Sequence, residues 1–202
     1  MANELSIQAI PLVLLILTVV TFVVTYLWSV ANGHVSAVFP SISDTGAFPP
    51  ESCLFAEMAN IAAVLMVLTV YFRYLLLRDF AFVDKLPKFN TLLRTNLILG
   101  LLVAFGISLV ANYQSVSVAS IHYTGAFILF GLGAAYMIID VLLSYHTAIF
   151  PNQSRAVCHV RAVIAGTVTV CIVIMIVAGV YSTEHRLGGL EDPEMRLVWR
   201  PQ

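Results

Sequence analysis

Five long apolar stretches constrain this chain more than any other feature of its sequence. They cover residues 10–31, 54–77, 95–112, 123–145 and 162–181. A helix needs roughly 20 apolar residues to cross a hydrocarbon core about 30 Å thick, and each stretch is close to that length. The chain is also 60% hydrophobic and only 10% charged, which is far from the averages for soluble domains. The sequence therefore predicts a single transmembrane domain over residues 1–202.

The apolar stretches are predicted to be helices. Only helices and closed barrels satisfy every backbone group in lipid, and barrel strands alternate between apolar and polar residues, whereas these runs are continuous. The first stretch lacks the basic flank of a cleavable signal peptide, and its apolar run is too long for one. We expect an all-α polytopic transmembrane helical bundle with five spans, in which Pro11 occupies the first turn of the first span.

The basic residues predict which side of the membrane each connection faces. Lys and Arg close to spans favour the cytosolic side. The second and fourth connections and their flanks contain Arg73, Arg78, Lys85, Lys88, Arg94, Arg155 and Arg161, whereas the tail contains Arg186, Arg196 and Arg200. We therefore predict a cytosolic N-terminus, a lumenal loop over residues 32–53 and a lumenal tail over residues 182–202.

The first lumenal loop has a composition that predicts an ordered segment. Its candidate functional residues are Phe39, Pro40, Ser43, Asp44, Thr45, Gly46, Pro49, Pro50 and Glu51. Prolines fix φ, Asp44 and Thr45 can hydrogen-bond to nearby amides, and Gly46 can adopt a positive φ. Glu51 is expected beside the positive end of the second span. This chemistry suits either a stiff connector or a binding surface.

Small and polar residues recur at every fourth position of the third span. They are Asn96, Gly100, Ala104, Ser108 and Asn112, and a second group, Gln114, His122 and Gly125, lies around the next connection. In lipid, small residues let two helices approach closely, and polar side chains hydrogen-bond between helices. We predict that this face packs within the bundle. Formation of a homo-oligomer through the same face is the alternative.

Ionisable residues of the spans lie near the span ends. Arg73 and Asp140 are near the inner surface and could pair, whereas Glu57 and His122 are near the outer surface. With no charge predicted at mid-bilayer depth, the sequence argues against a buried proton relay or a transporter with broken helices. A function as a channel or channel subunit is not excluded by the sequence, because hydroxyls and carbonyls can line a pore.

The sequence has none of the patterns typical of an enzyme or of a cofactor site. It lacks an HExxH motif, closely paired cysteines, a phosphate-binding glycine loop and a basic nucleic-acid patch. No spacing places two metal ligands on one helical face. We therefore predict no catalytic residue, no cofactor, no metal and no nucleic-acid partner.

The lumenal loop also resembles that of a known family. Residues 39–46 read Phe-Pro-Ser-Ile-Ser-Asp-Thr-Gly and residues 49–52 read Pro-Pro-Glu-Ser, which is similar to the first lumenal loop of the DRAM (damage-regulated autophagy modulator) family, including its transmembrane-protein-150 branch. Further matches are Arg73-Tyr74, residues 110–114, His122 with Gly125-Ala126, Ser144-Tyr145 and residues 199–201. The intact Ser-Asp-Thr-Gly stretch favours the autophagy-modulator branch.

This resemblance implies a non-enzymatic multi-pass protein of lysosomal or late-endosomal membranes that promotes autophagy and influences cell survival and apoptosis. The implied partners are membrane lipids and other membrane or autophagy proteins. The other branch implies a plasma-membrane scaffold for a phosphatidylinositol 4-kinase complex, or a link to mechanically gated currents. The family resembles a six-span bundle, so we expect this chain to lack the sixth span, as a splice variant, a gene-model truncation or a fragment.

Overall fold

The computed structural model describes residues 2–38, 40–84, 87–148 and 154–185, with side chains described over residues 9–38, 40–79, 88–148 and 154–178. Within these ranges the regular structure is entirely helical. The elements are α1 (Ala2–Ala31), α2 (Ile42–Thr45), α3 (Glu51–Asp84), α4 (Pro87–Asn112), α5 (Ala119–Phe127), a π-helical segment (Ile128–Leu132), α6 (Gly133–Thr147) and α7 (Arg155–His185).

Five helical stretches are long and apolar enough to cross a membrane. They are Ala9–Ala31, Glu51–Asp79, Lys88–Asn112, Ala119–Thr147 and Arg155–Ala178. The fourth stretch runs through α5, the π-helical segment and α6 without a break in the helix. This architecture confirms the predicted all-α polytopic class.

The helices extend beyond the predicted ends of the spans. Because α1 begins at Ala2, Pro11 lies inside that helix, and its predicted place in the first turn was wrong. Likewise, α4 begins at Pro87 and α7 at Arg155, both well before the predicted starts at residues 95 and 162. Hydropathy marks the residues that suit hydrocarbon, but the hydrogen bonds between backbone groups four residues apart continue into polar sequence.

Helices α3 and α4 form the centre of the bundle. α3 packs against α1 and α4, and α4 also packs against α5, the π-helical segment and α6. α7 packs against α6, and the fourth and fifth stretches are the least buried, with 6% of their most apolar windows inside the bundle compared with 33% for α4. Helices that follow one another in sequence are therefore neighbours in space.

Lipid-facing surface is provided mainly by the outer helices. Leu15 on α1 is 60% exposed and Val163 on α7 is 68% exposed, and many other apolar side chains on these two helices are also exposed. An apolar surface of this extent is an aggregation hazard in water, whereas hydrocarbon solvates it. The exposed faces agree with an integral membrane protein.

Candidate functional site

A buried carboxylate organises the end of the bundle that carries the first connection, here called the outer end. Glu51 is the first residue of α3 and is fully buried. Its Oε1 accepts a hydrogen bond of 2.7 Å from Asn32 Nδ2 and lies 3.1 Å from His34 Nδ1. The His34 ring in turn packs on Phe48, with centroids 5.3 Å apart. Because a buried charge is costly without such partners, these contacts hold the first connection onto the start of α3.

A second set of contacts joins the first connection to α1. Thr45 lies at the end of α2, and its Oγ1 donates to the Ile42 carbonyl oxygen and lies 3.3 Å from Thr25 Oγ1. Thr25 is fully buried on α1. Ser115, between α4 and α5, donates to Asp44 Oδ1 at 3.4 Å. The first connection therefore has contacts with three parts of the bundle.

Gly46 has a different role from the one predicted. Its φ is −114°, so Gly46 does not use the positive φ that glycine allows, and the positive φ in this region belongs to Gly33 at +73°. Gly46 is needed for space, since a Cβ at this position would lie 2.5 Å from Cγ of Phe55. The absence of a side chain lets α3 and the first connection come close together.

The remaining predicted residues of this segment are placed at its surface or lie outside the described residues. Pro49 and Pro50 are exposed and Ser43 is half-buried. Phe39 lies outside the described residues. Pro40 contributes to an apolar groove of about 470 Å³ between α1 and the first connection. The groove is also lined by Phe22, Tyr26, Ala37, Val38, Ile42 and Thr45.

The predicted stripe of α4 faces α3 and α6. Ser108 donates to Asn60 Oδ1 at 3.0 Å, and the Asn60 and Asn112 side chains exchange two hydrogen bonds of 3.0 Å. A Cβ on Gly100 would lie 2.5 Å from a methyl group of Val70. Sequence reasoning missed Asn60, although an isolated amide inside an apolar stretch is a signal for a helix–helix hydrogen bond.

Two further members of the stripe are buried in the bundle. Ala104 is 3% exposed and Asn96 is 4% exposed. The Oδ1 of Asn96 has no hydrogen-bond partner among the described residues. These side chains therefore lie at helix contacts within one chain.

The three residues predicted around the next connection have three different roles. His122 is buried, and its Nδ1 lies 2.6 Å from the Tyr113 carbonyl oxygen, which ties the start of α5 to the end of α4. Gly125 allows close helix packing, because a Cβ there would lie 2.7 Å from Leu109 Cβ. The Gln114 carbonyl accepts from the amides of residues 117 and 118 and shapes the turn.

A cluster of charged side chains lies at the opposite end of the bundle, here called the inner end. Arg73 Nε donates to Asp140 Oδ1 at 2.9 Å, which confirms the predicted pairing. Arg161 Nη1 lies 3.4 Å from Asp140 Oδ2. Ser144 Oγ accepts from Arg73 Nη2 at 2.9 Å and from Arg161 Nη1 at 2.8 Å, and donates to the Asp140 carbonyl oxygen at 2.7 Å. One carboxylate and one hydroxyl thus join α3, α6 and α7.

This inner cluster lines a groove of about 870 Å³. Four helices contribute to it, and the lining residues are Pro11, Thr69, Phe72, Arg73, Leu75, Leu76, Asp79, Tyr136, Asp140 and Arg161. We call it the inner groove. Arg161 was predicted only as a loop charge, because its span was expected to start at residue 162. Because α7 begins at Arg155, Arg161 belongs to a helix of the bundle.

Metal-binding geometry is absent among the described side chains. No three His, Cys, Asp or Glu residues in that part of the chain come together as a possible metal site. Cys53, Cys158 and Cys171 are free thiols.

Comparison with known proteins connects these features to a family. The family model for the Frag1/DRAM/Sfk1/Cwh43P N-terminal domain matches residues 6–192. The Bos taurus DNA damage-regulated autophagy modulator protein 2 is 42% identical over 139 residues, which are 67% of this chain and 50% of the relative. This chain thus spans about half the length of that protein. No solved structure matches.

Two other relatives match over more of their length. The Homo sapiens DNA damage-regulated autophagy modulator protein 1 is 35% identical over 83% of this chain and 70% of the relative. The Danio rerio modulator of macroautophagy TMEM150B is 32% identical over 88% of this chain and 73% of the relative. All three relatives are named as modulators and not as enzymes. The family model matches nearly all of the 202 residues of this chain. The chain therefore belongs to the Frag1/DRAM/Sfk1/Cwh43P family, as an integral membrane protein with DRAM and TMEM150 relatives.

Proposed function

We propose that this chain is a non-enzymatic membrane protein that modulates autophagy and lysosome function and thereby influences cell survival. The observation that carries the proposal is the family membership, together with relatives that are named as autophagy modulators in both the DRAM and the TMEM150 branches. The higher identities to the DRAM proteins favour the autophagy-modulator branch.

The outer end supports a role in binding another protein. The contacts of Glu51 and Thr45 hold the first connection in one conformation, which lowers the entropic cost of binding a partner. Val38 and Ile42 are 57% and 52% exposed beside the apolar groove. We propose that this surface contacts a membrane or autophagy protein in the lumen.

The experiment is a measurement of autophagic flux in cells that lack the protein. Flux is taken as the increase in the lipidated autophagosome marker when lysosomal acidification is blocked. We expect flux to fall without the protein and to recover when the wild-type chain is expressed again. Unchanged flux in the deficient cells would contradict the proposal.

Two variants test whether this surface, and not the outer end in general, is needed for flux. The double change Val38→Ser and Ile42→Ser removes exposed apolar groups and should restore little flux at a wild-type protein level. Val118→Ser is the matched control, since Val118 is also exposed near the outer end but does not line the groove, and it should restore flux fully. Equal rescue by both variants would exclude this surface as the binding site.

The proposed location is the lysosomal or late-endosomal membrane. It is supported by the implied role in autophagy, and the plasma membrane is the alternative. Imaging the tagged chain at its natural expression level against markers of both membranes distinguishes them. Signal confined to the plasma membrane would contradict the proposed location.

A further inference from the structure

In the inner groove two guanidinium groups share one partly buried carboxylate. Arg73 and Arg161 both contact Asp140, so two guanidinium charges share one carboxylate charge. Among the described lining residues the other acid is Asp79, which is exposed and is therefore screened by water and salt. The side chains of Arg73 and Asp140 are only 16% and 18% exposed, whereas that of Arg161 is 38% exposed, so an anion can reach the guanidinium groups from the groove. The arrangement thus favours an additional anion beside the two arginines.

Hydrogen-bond donors remain available at the same place. A guanidinium group carries five N–H donors. Within the described part of the chain, Arg73 uses Nε and Nη2 and Arg161 uses Nη1. The Nη1 group of Arg73 and the Nε and Nη2 groups of Arg161 are free of protein acceptors there. Guanidinium groups bind phosphate oxygens through two parallel hydrogen bonds.

The rest of the lining is suited to hydrocarbon. Phe72, Leu75 and Leu76 lie next to Arg73 on α3 and line the same groove. A free phosphate ion would gain nothing from these side chains, whereas the glycerol and acyl chains of a lipid would pack on them. The position is also appropriate, since Arg73 and Arg161 lie near the inner ends of their spans. In the predicted orientation this end faces the cytosol, and the cytosolic leaflet carries anionic lipids.

We propose that the inner groove binds an anionic phospholipid, with the headgroup phosphate on Arg161 and Arg73 and the acyl chains along Phe72, Leu75 and Leu76. The inference goes beyond the proposed function and does not depend on it. The bound lipid would supply the negative charge that Asp140 alone does not provide. It would also connect α3, α6 and α7 at the membrane surface.

The experiment measures lipid binding by the purified full chain in an uncharged detergent. The melting temperature is followed while phosphatidylserine or phosphatidylcholine is added. We expect phosphatidylserine to raise the melting temperature in a saturable way, with phosphatidylcholine giving at most a weak shift. Arg161→Gln should weaken the apparent affinity for phosphatidylserine about tenfold, as expected for the loss of a charge-assisted hydrogen-bond donor.

The matched control is Arg155→Gln. Arg155 lies on the same helix and is exposed, but it does not line the groove, so this change should leave the affinity unaltered. An equal loss in both variants would mean a general surface-charge effect and would overturn the proposal. Equal shifts by phosphatidylserine and phosphatidylcholine in the wild-type chain would overturn it as well.

Soluble probes separate a lipid from a free phosphate. Inorganic phosphate and glycerophosphoserine should produce no saturable shift at concentrations where phosphatidylserine saturates. A shift as large as that of phosphatidylserine would assign the groove to free phosphate and overturn the lipid assignment.

If Arg161→Gln does not fold, Arg161→Lys decides the matter, because lysine keeps the charge but not the two-pronged geometry. About threefold weaker binding is expected from that change. Unchanged binding would contradict the assignment.

Discussion

The two ends of the bundle hold their acidic side chains in different ways. At the outer end, Glu51 contacts Asn32 and His34, which precede it by 19 and 17 residues. At the inner end, Asp140 contacts two arginines that lie 67 and 21 residues away. The outer cluster closes a single connection with groups of that connection. The inner cluster joins three spans and places two guanidinium groups beside one carboxylate. Folding alone explains the outer cluster, but it does not explain why the inner cluster has a second arginine.

The largest effect is expected from Asp140→Asn. This change leaves the guanidinium groups of Arg73 and Arg161 close together without a counter-charge, which should cost about 3 kcal/mol. The measurement is thermal unfolding of the detergent-solubilised protein without added lipid. Glu57→Gln is the control, since Glu57 is an exposed acid on α3 and its loss should change little. Equal melting temperatures for the two variants would show that the inner cluster does not stabilise the fold.

A smaller and more local effect is expected at the outer end. Glu51→Ala leaves the side chains of Asn32 and His34 without their acceptor, which should cost about 2 kcal/mol. Hydrogen exchange of the amides in residues 32–50 should become faster, while exchange in α7 stays unchanged. Glu51→Gln retains one acceptor oxygen and should show an intermediate rate. If residues 32–50 exchange at the wild-type rate in Glu51→Ala, the first connection does not depend on this carboxylate.

Close helix packing is tested by Gly125→Ala. The added Cβ would lie 2.7 Å from Leu109 Cβ and 3.1 Å from the Val110 backbone nitrogen, and overpacking of this kind should cost about 1 to 2 kcal/mol. Gly166→Ala is the control, because a Cβ there meets nothing within 4 Å. That variant should gain a few tenths of a kcal/mol or more from the higher helix propensity of alanine. A comparable loss of melting temperature in both variants would contradict the packing described between α4 and α5.

The smallest effect is expected from Ser108→Ala. Loss of its hydrogen bond to Asn60 should cost about 0.6 kcal/mol, which is the average for side-chain pairs in membrane proteins. A double-mutant cycle with Asn60→Ala isolates the coupling between the two side chains. A coupling energy of zero would show that this polar contact does not hold α3 to α4.

Several parts of the fold could be predicted because they depend on local chemistry. The five apolar stretches gave the number of candidate spans, and the similar depths of Arg73 and Asp140 predicted their ion pair. Helix ends were harder to predict, since backbone hydrogen bonding continues where hydropathy falls. That error also hid Arg161, which was assigned to a connection although it belongs to α7.

Other features depend on contacts that no local pattern reports. Gly46 was singled out because glycine can adopt a positive φ, but the requirement for glycine comes from Phe55 in a neighbouring helix. The partners of Asn60 lie 48 and 52 residues away, and a single amide gives no spacing from which to find them. At the inner end the Arg73–Asp140 pair was predicted but the groove was not, because its lining residues come from four different helices.

The most direct test of the difference between the two ends is a count of retained phospholipids by native mass spectrometry. The chain would be purified in uncharged detergent as wild type, as Arg161→Gln and as Glu51→Gln. We predict that the wild-type chain and Glu51→Gln each retain one anionic phospholipid, and that Arg161→Gln loses it. The same number of anionic phospholipids on all three proteins would contradict the claim that the inner groove is the lipid site.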